Sequence, residues 1–354
     1  MSAPRPRSLV LVVGVGRSGT SLLAGILGQL GFHIPRPEVK ANSTNPRGFG
    51  EPRWVVDFHA ALLRSQRITV NDSRPAAWER AARSGEDPAV HGALRDWLAG
   101  QLREADAVVV KDPRTVWHLP LWMRCAADLG VTPSFVTMLR HPAETLTSAR
   151  TSYGTWQSAA SRAAAWLNVT LETERATRDA QRAFVRYDDL LADWRGQVTR
   201  LGELLELPLL RDLDPARAAL VDQFVDPTLH RNRVRWDDLE VPDRLREMAE
   251  DVWRAVGPLA QPGGDVPAAH AALDEQRTRF ELLYREAEEI AQSSVTAARR
   301  RGGRAGGGGG SKGAAPTLRV RLARRVPVEQ RRRLRRALGV LRAPRARARA
   351  LRGR

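Results

Sequence analysis

Two short stretches carry residues whose types and spacing suit anion chemistry. In SLVLVVGVGRSGTSLLAGIL, residues 8–27, an apolar run ends in Gly14, Gly16 and Gly19, and a second apolar run follows. A strand that ends in glycines and feeds a helix aims backbone N–H groups and the positive helix end at one point, which suits a phosphate. Ser18, Thr20 and Ser21 add hydroxyl groups, and Arg17 adds a cation. Gly14 and Gly19 have the spacing of a nucleoside-triphosphate loop, yet the place of its Lys is taken by Thr20. No strand end of the apolar-apolar-Asp-Glu kind offers itself to Mg²⁺. The loop fits an anion held by hydrogen bonds and Arg17, without metal. The plain alternative is a strand–helix turn whose glycines serve packing alone.

The second stretch is VTMLRHPAETLTSAR, residues 136–150. An apolar run delivers Arg140 at its end, Pro142 marks a helix start, and Ser148 lies inside that helix. Eight residues separate Arg140 from Ser148, about two helical turns. Ser148 is thereby brought back toward the strand end, so that both side chains reach one anionic group.

The elements that must position these residues form an α/β pattern. Leu9–Val13 reads as a central parallel strand, and Ala107–Val110, Ser134–Leu139 and Ala183–Arg186 as three more. Leu22, Leu23, Ile26, Leu27 and Leu30 repeat at helical spacing up to Gly31. Further helices are expected around 53–65, 88–104, 143–150, 158–180 and 195–206. This alternation predicts a doubly wound parallel sheet that binds ligands at the carboxyl ends of its strands. The first loop-like boundary is AQPGGDVP near residue 260. Beyond it Leu273, Phe280, Leu283, Tyr284, Ala287 and Ile290 mark an amphipathic helix. The expected organisation is a domain over 1–262, a helical extension over 263–298, a Gly/Arg-rich flexible linker over 299–316 and a basic tail over 317–354.

Charge is divided unevenly. The formal net charge is +17, but residues 291–354 hold 20 Lys and Arg against one acid, Glu329. The preceding 290 residues are close to neutral, so the basicity belongs to the tail. Within the tail Leu334, Leu338 and Leu341 fall on one helical face among arginines, a pattern suited to an anionic membrane or polymer surface. A solvated tail is the plainer reading. Arg replaces Lys almost everywhere, as in a GC-rich, bacterial genome. One cysteine, Cys125, excludes an intramolecular disulfide and fits a reducing compartment. Arg5 and Arg7 precede Leu9–Val13 as in a secretory signal, but Gly14–Gly19 break the run and no small-residue cleavage site follows. The expected location is cytoplasmic.

Taken together, the two anion motifs resemble those of sulfotransferases that use 3′-phosphoadenosine 5′-phosphosulfate. That family carries a [K/R]SGT[T/S] loop and an R-x7-S pair, and the likeness runs in order from about residue 8 to 260. The resemblance implies a P-loop-like, three-layer α/β fold. It implies that Gly16, Arg17, Ser18, Gly19, Thr20 and Ser21 bind the 5′-phosphosulfate, and that Arg140 and Ser148 bind the 3′-phosphate. Tyr187 in FVRYDDLL is similar to the family's YEDL segment and is placed near the nucleotide. YGTWQSAASRAAAWL, 153–167, resembles a family stretch with spaced tryptophans.

The implied reaction moves a sulfuryl group to an acceptor hydroxyl or amine by in-line displacement, without metal. Arg17 is the first candidate to offset charge on the departing phosphate, and Lys111, at a strand end where the family often has Lys, is the second. Where some members place a base His, this chain has Pro113. Members acting on carbohydrates use a Glu after the first helix, which points to Glu51 in NPRGFGEPRWVVDFHAALL, with Asp112 as fallback. Trp54, Phe58, Trp117, Trp122, Trp156 and Trp166 are candidates to line the acceptor pocket, although each type is commonly core. His141 is expected to shape the nucleotide pocket, and His230, Arg231, Arg233 and Arg235 to lie over the 3′-phosphate. The runner-up readings are a small-molecule P-loop kinase and a non-enzymatic adaptor working through the basic tail.

Overall fold

The computed structural model describes residues 7–42, 45, 47–153, 157–226 and 236–305. Its layering follows from β1 (Ser8–Val13), where Leu9, Leu11 and Val13 enter one apolar cluster and Val10 and Val12 another. Successive strand side chains point to opposite faces, and both faces are covered, so the whole run is apolar. β2 (Ala107–Lys111), β3 (Pro133–Leu139) and β4 (Arg182–Arg186) join β1 in a wholly parallel sheet of order β2-β1-β3-β4. The four expected strands are present to within one residue at each end.

One face of the sheet packs against α2 (Arg53–Ser65), α3 (Ala77–Gly85), α4 (Pro88–Glu104) and α5 (Leu119–Asp128). Further along that face, Leu139 and Phe184 pack with α6 (Pro142–Tyr153), α7 (Ala159–Ala176), α12 (Asp243–Val256) and α13 (Pro267–Ala305). The opposite face is covered by α1 (Thr20–Gln29), α8 (Tyr187–Ala192), α9 (Trp194–Leu204), α10 (Pro208–Arg211) and α11 (Pro215–Phe224). The result is the P-loop-like, three-layer α/β architecture. Helices α3, α5, α8, α10, α11 and α12 go beyond the sequence expectation. Each is short or strongly charged, and its place is set by the apolar residues it adds to the clusters on the two sides of the sheet.

Strand order also locates the site. From β1 the chain moves outward to β2, whereas from β3 it moves the other way to β4. The crevice between the carboxyl ends of β1 and β3 is therefore left open by the connections, and ligands of open α/β sheets bind there. The glycine loop leaves β1 and Arg140 leaves β3 at this crevice.

The C-terminal extension is built into the body. Leu273 and Phe280 of α13 are buried beside Trp166, Leu167 and Leu171 of α7, whereas Ile290 is 83% exposed. The helix continues through 299–305, the first part of the segment whose composition suggests a linker. A charged network reinforces the docking. Glu174, fully buried, accepts from Arg178 at 2.7–2.8 Å and from Arg182 at 3.3–3.4 Å. Arg178 also donates to Asp274, Arg182 to Asp265, and Arg277 to Asp274. Residues 306–316 of the expected linker and the tail 317–354 lie outside the described residues. Among the described residues no helix is long and apolar enough to cross a membrane.

Hydrogen bonds from Arg178 and Arg277, against a smaller opposing effect of burial, hold the Asp274 carboxyl at about 2, below its ordinary 3.8. A depressed folded-state value stabilises the fold above the unfolded value, and that stability is lost as pH falls through the folded value. Asp274→Asn is expected to lower the unfolding temperature at pH 6, with the gap to wild type closing between about pH 4 and 2. Thermal unfolding followed by circular dichroism across that range checks it.

Candidate active site

The β1–α1 loop takes its shape from close approach. Gly14 has φ +127°, and a Cβ there would lie 2.8 Å from the Met138 carbonyl oxygen of β3. Gly19 has φ +99°, and a Cβ there would lie 2.4 Å from Cδ2 of Tyr187. Arg17 itself has φ +75°, a conformation uncommon outside glycine. Gly19 is the N-cap of α1 and no side chain caps that end. The first-turn N–H groups of Thr20 and Ser21 thus face the loop with the helix's positive end behind them. Ser18 Oγ is buried with no hydrogen-bond partner among the described residues. An uncapped helix start and an unsatisfied hydroxyl in one loop are what a phosphate or sulfate would complete.

The second anion motif is joined to the first. Arg17 Nε donates to Ser148 Oγ at 3.1 Å, and Arg140 Nη1 donates to the Arg17 carbonyl oxygen at 3.3 Å. Arg140 and Ser148, which spacing alone brings together, therefore meet the glycine loop directly. The Arg140 guanidinium lies 4.3 Å from the centroid of the Tyr187 ring. The same ring touches Gly19, so Tyr187 stands between the loop and Arg140. His141 turns away, with Nε2 3.0 Å from Glu250 Oε1 of α12.

Lys111 and Glu51 form one unit. Lys111 Nζ donates to Glu51 Oε1 at 2.5 Å and to Ser21 Oγ at 3.2 Å, and both charged side chains are almost wholly buried. Backbone bonds from Val39 N to Glu51 O and from Arg53 N to Pro37 O hold the Glu51 segment at 2.8 Å each. An ammonium thus links a carboxylate to the first turn of α1. Sequence spacing had no means of pairing residues 60 positions apart.

Asp112 is placed differently. It is fully buried, accepts from His59 Nδ1 at 2.8 Å, and accepts from the Arg114 side chain at 2.7 Å and backbone at 3.2 Å. Burial pushes its pKa up, but the bonds from His59 and the Arg114 charge outweigh this and hold it at about 2. Trp122 Nε1 donates to His59 Nε2 at 3.1 Å, so that nitrogen carries a lone pair and the proton sits on Nδ1. His118 stacks on His59 with centroids 5.1 Å apart, and burial lowers its pKa well below the ordinary value. Asp112 is an occupied acceptor in a closed polar cluster, a poor place for a base. His59 and His118 are unmarked in sequence because neither lies in a spaced motif.

The tryptophans expected to line an acceptor pocket are mostly core. Phe58, Trp117, Trp122 and Trp166 are buried, Trp54 stacks on Phe58 and Trp97, and Trp117 stacks on Trp78. The physical reason is area, since indole rings contribute most when removed from water. Trp156, His230, Arg231, Arg233 and Arg235 lie outside the described residues. Among the described residues no group of three or more His, Cys, Asp or Glu is arranged to hold a metal ion.

Cations and hydroxyls thus converge on the switch point of a parallel α/β fold, an arrangement suited to an anion. A family model described as "Sulfotransferase family" matches residues 10–212, more than half of the chain. The chain belongs to the sulfotransferase family. It is similar to the sulfotransferase domain of the Synechococcus PCC 7002 olefin synthase, with 17% identity, 77% of this chain and 97% of that one covered, and a TM-score of 0.37. It is also similar to the sulfotransferase domain from the curacin biosynthetic pathway (14%, 78% and 99%, 0.37). A sulfotransferase of Mycobacterium tuberculosis H37Rv is a further solved relative in shape (16%, 62% and 72%, 0.35). No curated protein matches the chain.

Gly19→Ala combines a strained φ with a clash on Tyr187, and is expected to destabilise the fold by about 1–3 kcal/mol. Gly16→Ala is the control, because its Cβ would meet nothing nearer than Pro113 Cβ at 3.9 Å. Urea unfolding of the two variants should separate them, with Gly16→Ala close to wild type.

Proposed function

We propose that this sulfotransferase takes its sulfuryl group from 3′-phosphoadenosine 5′-phosphosulfate and delivers it to a hydroxyl or amine acceptor, with a carbohydrate hydroxyl as the first class to test. The observation that carries the reading is the bonded set Ser148–Arg17–Arg140, which sets a second cation beside the uncapped α1 loop. One nucleotide phosphate needs only the loop. A second cation-and-hydroxyl pair suits a nucleotide phosphorylated at two separate positions.

On this reading Gly16–Ser21 hold the 5′-phosphosulfate, Arg140 and Ser148 the 3′-phosphate, and Tyr187 packs beside the nucleotide. Glu51 takes the acceptor's proton as the new O–S or N–S bond forms. The S–O bond to the donor breaks, and its electron pair stays on the bridging oxygen of the departing phosphate. Arg17 and Lys111 offset that growing negative charge. Lys111, between Glu51 and Ser21, joins the proton acceptor to the loop that faces the departing group. Asp112, saturated by His59 and Arg114, leaves the role of base to Glu51. We place the reaction in the cytoplasm. The tail 317–354, with its excess of arginine, would hold the domain near an anionic membrane or polymer.

Calorimetric titration with 3′,5′-adenosine bisphosphate is expected to give tighter binding than ATP, with that preference lost in Arg140→Ala. Tighter binding of ATP, as the kinase reading requires, would overturn the assignment. Glu51→Gln is expected to lower kcat by about 10²–10⁴-fold with bisphosphate affinity retained. Single-turnover transfer from labelled donor to a panel of sugars, phenols and lipids measures both the loss and the acceptor.

A further inference from the structure

Arg140 is held on three sides, and one of the holders, Glu144, has no assigned part in the reaction. Its Nε donates to Glu144 Oε2 at 3.0 Å, its Nη1 donates to the Arg17 carbonyl oxygen at 3.3 Å, and its face lies on the Tyr187 ring at 4.3 Å. Glu144 is one helical turn on from Arg140, at the start of α6, and both are buried. Among the described residues no hydrogen bond uses Arg140 Nη2.

A free arginine side chain carries rotamer entropy that binding must remove. Here the guanidinium plane is fixed before any ligand arrives: the carboxylate sets its in-plane orientation and the ring sets its height. The ring is itself fixed from behind, since Gly19 leaves no room between the loop and Tyr187. Tyr187 therefore spaces the cradle at the loop from the cation at the second site.

We infer that Glu144, with the Tyr187 ring, positions Arg140 to recognise a nucleotide's 3′-phosphate, and so sets selectivity for a 3′,5′-bisphosphorylated nucleotide over one bearing only a 5′-phosphate. The inference rests on the donor reading above. Glu144 is a positioning residue, acting through Arg140.

Electrostatics gives the test a sign. A carboxylate beside an anion site repels the anion, so removing its charge strengthens phosphate binding if repulsion is all it contributes. Positioning predicts the reverse. The readout is the ratio of affinities for 3′,5′-adenosine bisphosphate and 5′-AMP, measured by calorimetry on the full chain. Glu144→Gln is expected to lower this ratio about tenfold, the scale of one charge-assisted hydrogen bond. In an Arg140→Ala background the same change should have no effect on the ratio. Tyr187→Leu, which removes the aromatic face, should lower the ratio similarly, and Tyr187→Phe should keep it.

A ratio that rises or stays unchanged in Glu144→Gln overturns the inference, as does a fall that persists without Arg140. Should Glu144→Gln unfold, the Tyr187→Leu and Tyr187→Phe pair decides it. Wild-type protein with no preference for the bisphosphate would fail the donor reading instead, so the two failures are distinct.

Discussion

Burying an unpaired charge costs several kcal/mol, and the carboxyl edge of this sheet buries several charges at once. Each cation there is matched with an acceptor. Lys111 is on Glu51, Arg140 on Glu144, and Asp112 takes both His59 and Arg114. The pairing offsets the cost of burying these charges. It also fixes directions. Lys111 is held toward the first turn of α1 through Ser21, and Arg140 keeps Nη2 out of the pairing.

That edge exists because the sheet is parallel and its connections lead away from β1 and β3 in opposite directions. All four strands end on the same side, so one crevice receives the glycine loop, Lys111, Arg140 and Tyr187 from four chain segments. The remainder of the chain makes the edge rigid. Three apolar clusters cover the two faces, and α13 is clamped to α7 and β4 by the arginines around buried Glu174. Aromatic rings serve this purpose as well. Trp54, Trp97 and Trp122 back the α2 segment that follows Glu51, which makes them supports of the site.

Local signals made the scaffold legible. Short apolar runs mark all four strands, and the Arg140–Ser148 spacing on a strand–helix junction marks the second anion motif. Signals that depend on distant partners were silent. In the sequence Glu51 and Lys111 are separate candidates, Asp112 is the fallback base, and nothing singles out Glu144. The tryptophans offered no way to tell lining from core, because the indole serves both.

The sequence by itself determined the four strands, the glycine loop at the end of β1 and the identities of the cations. Each of these is written in periodicity or in short spacing, which a chain carries wherever it folds. Only the tertiary structure decided which carboxylate each cation meets, that Asp112 is enclosed while Glu51 reaches Lys111, and that Tyr187 fills the gap between Gly19 and Arg140. Those facts are distances between segments tens of residues apart, and such distances are set by the packing of layers on a shared sheet.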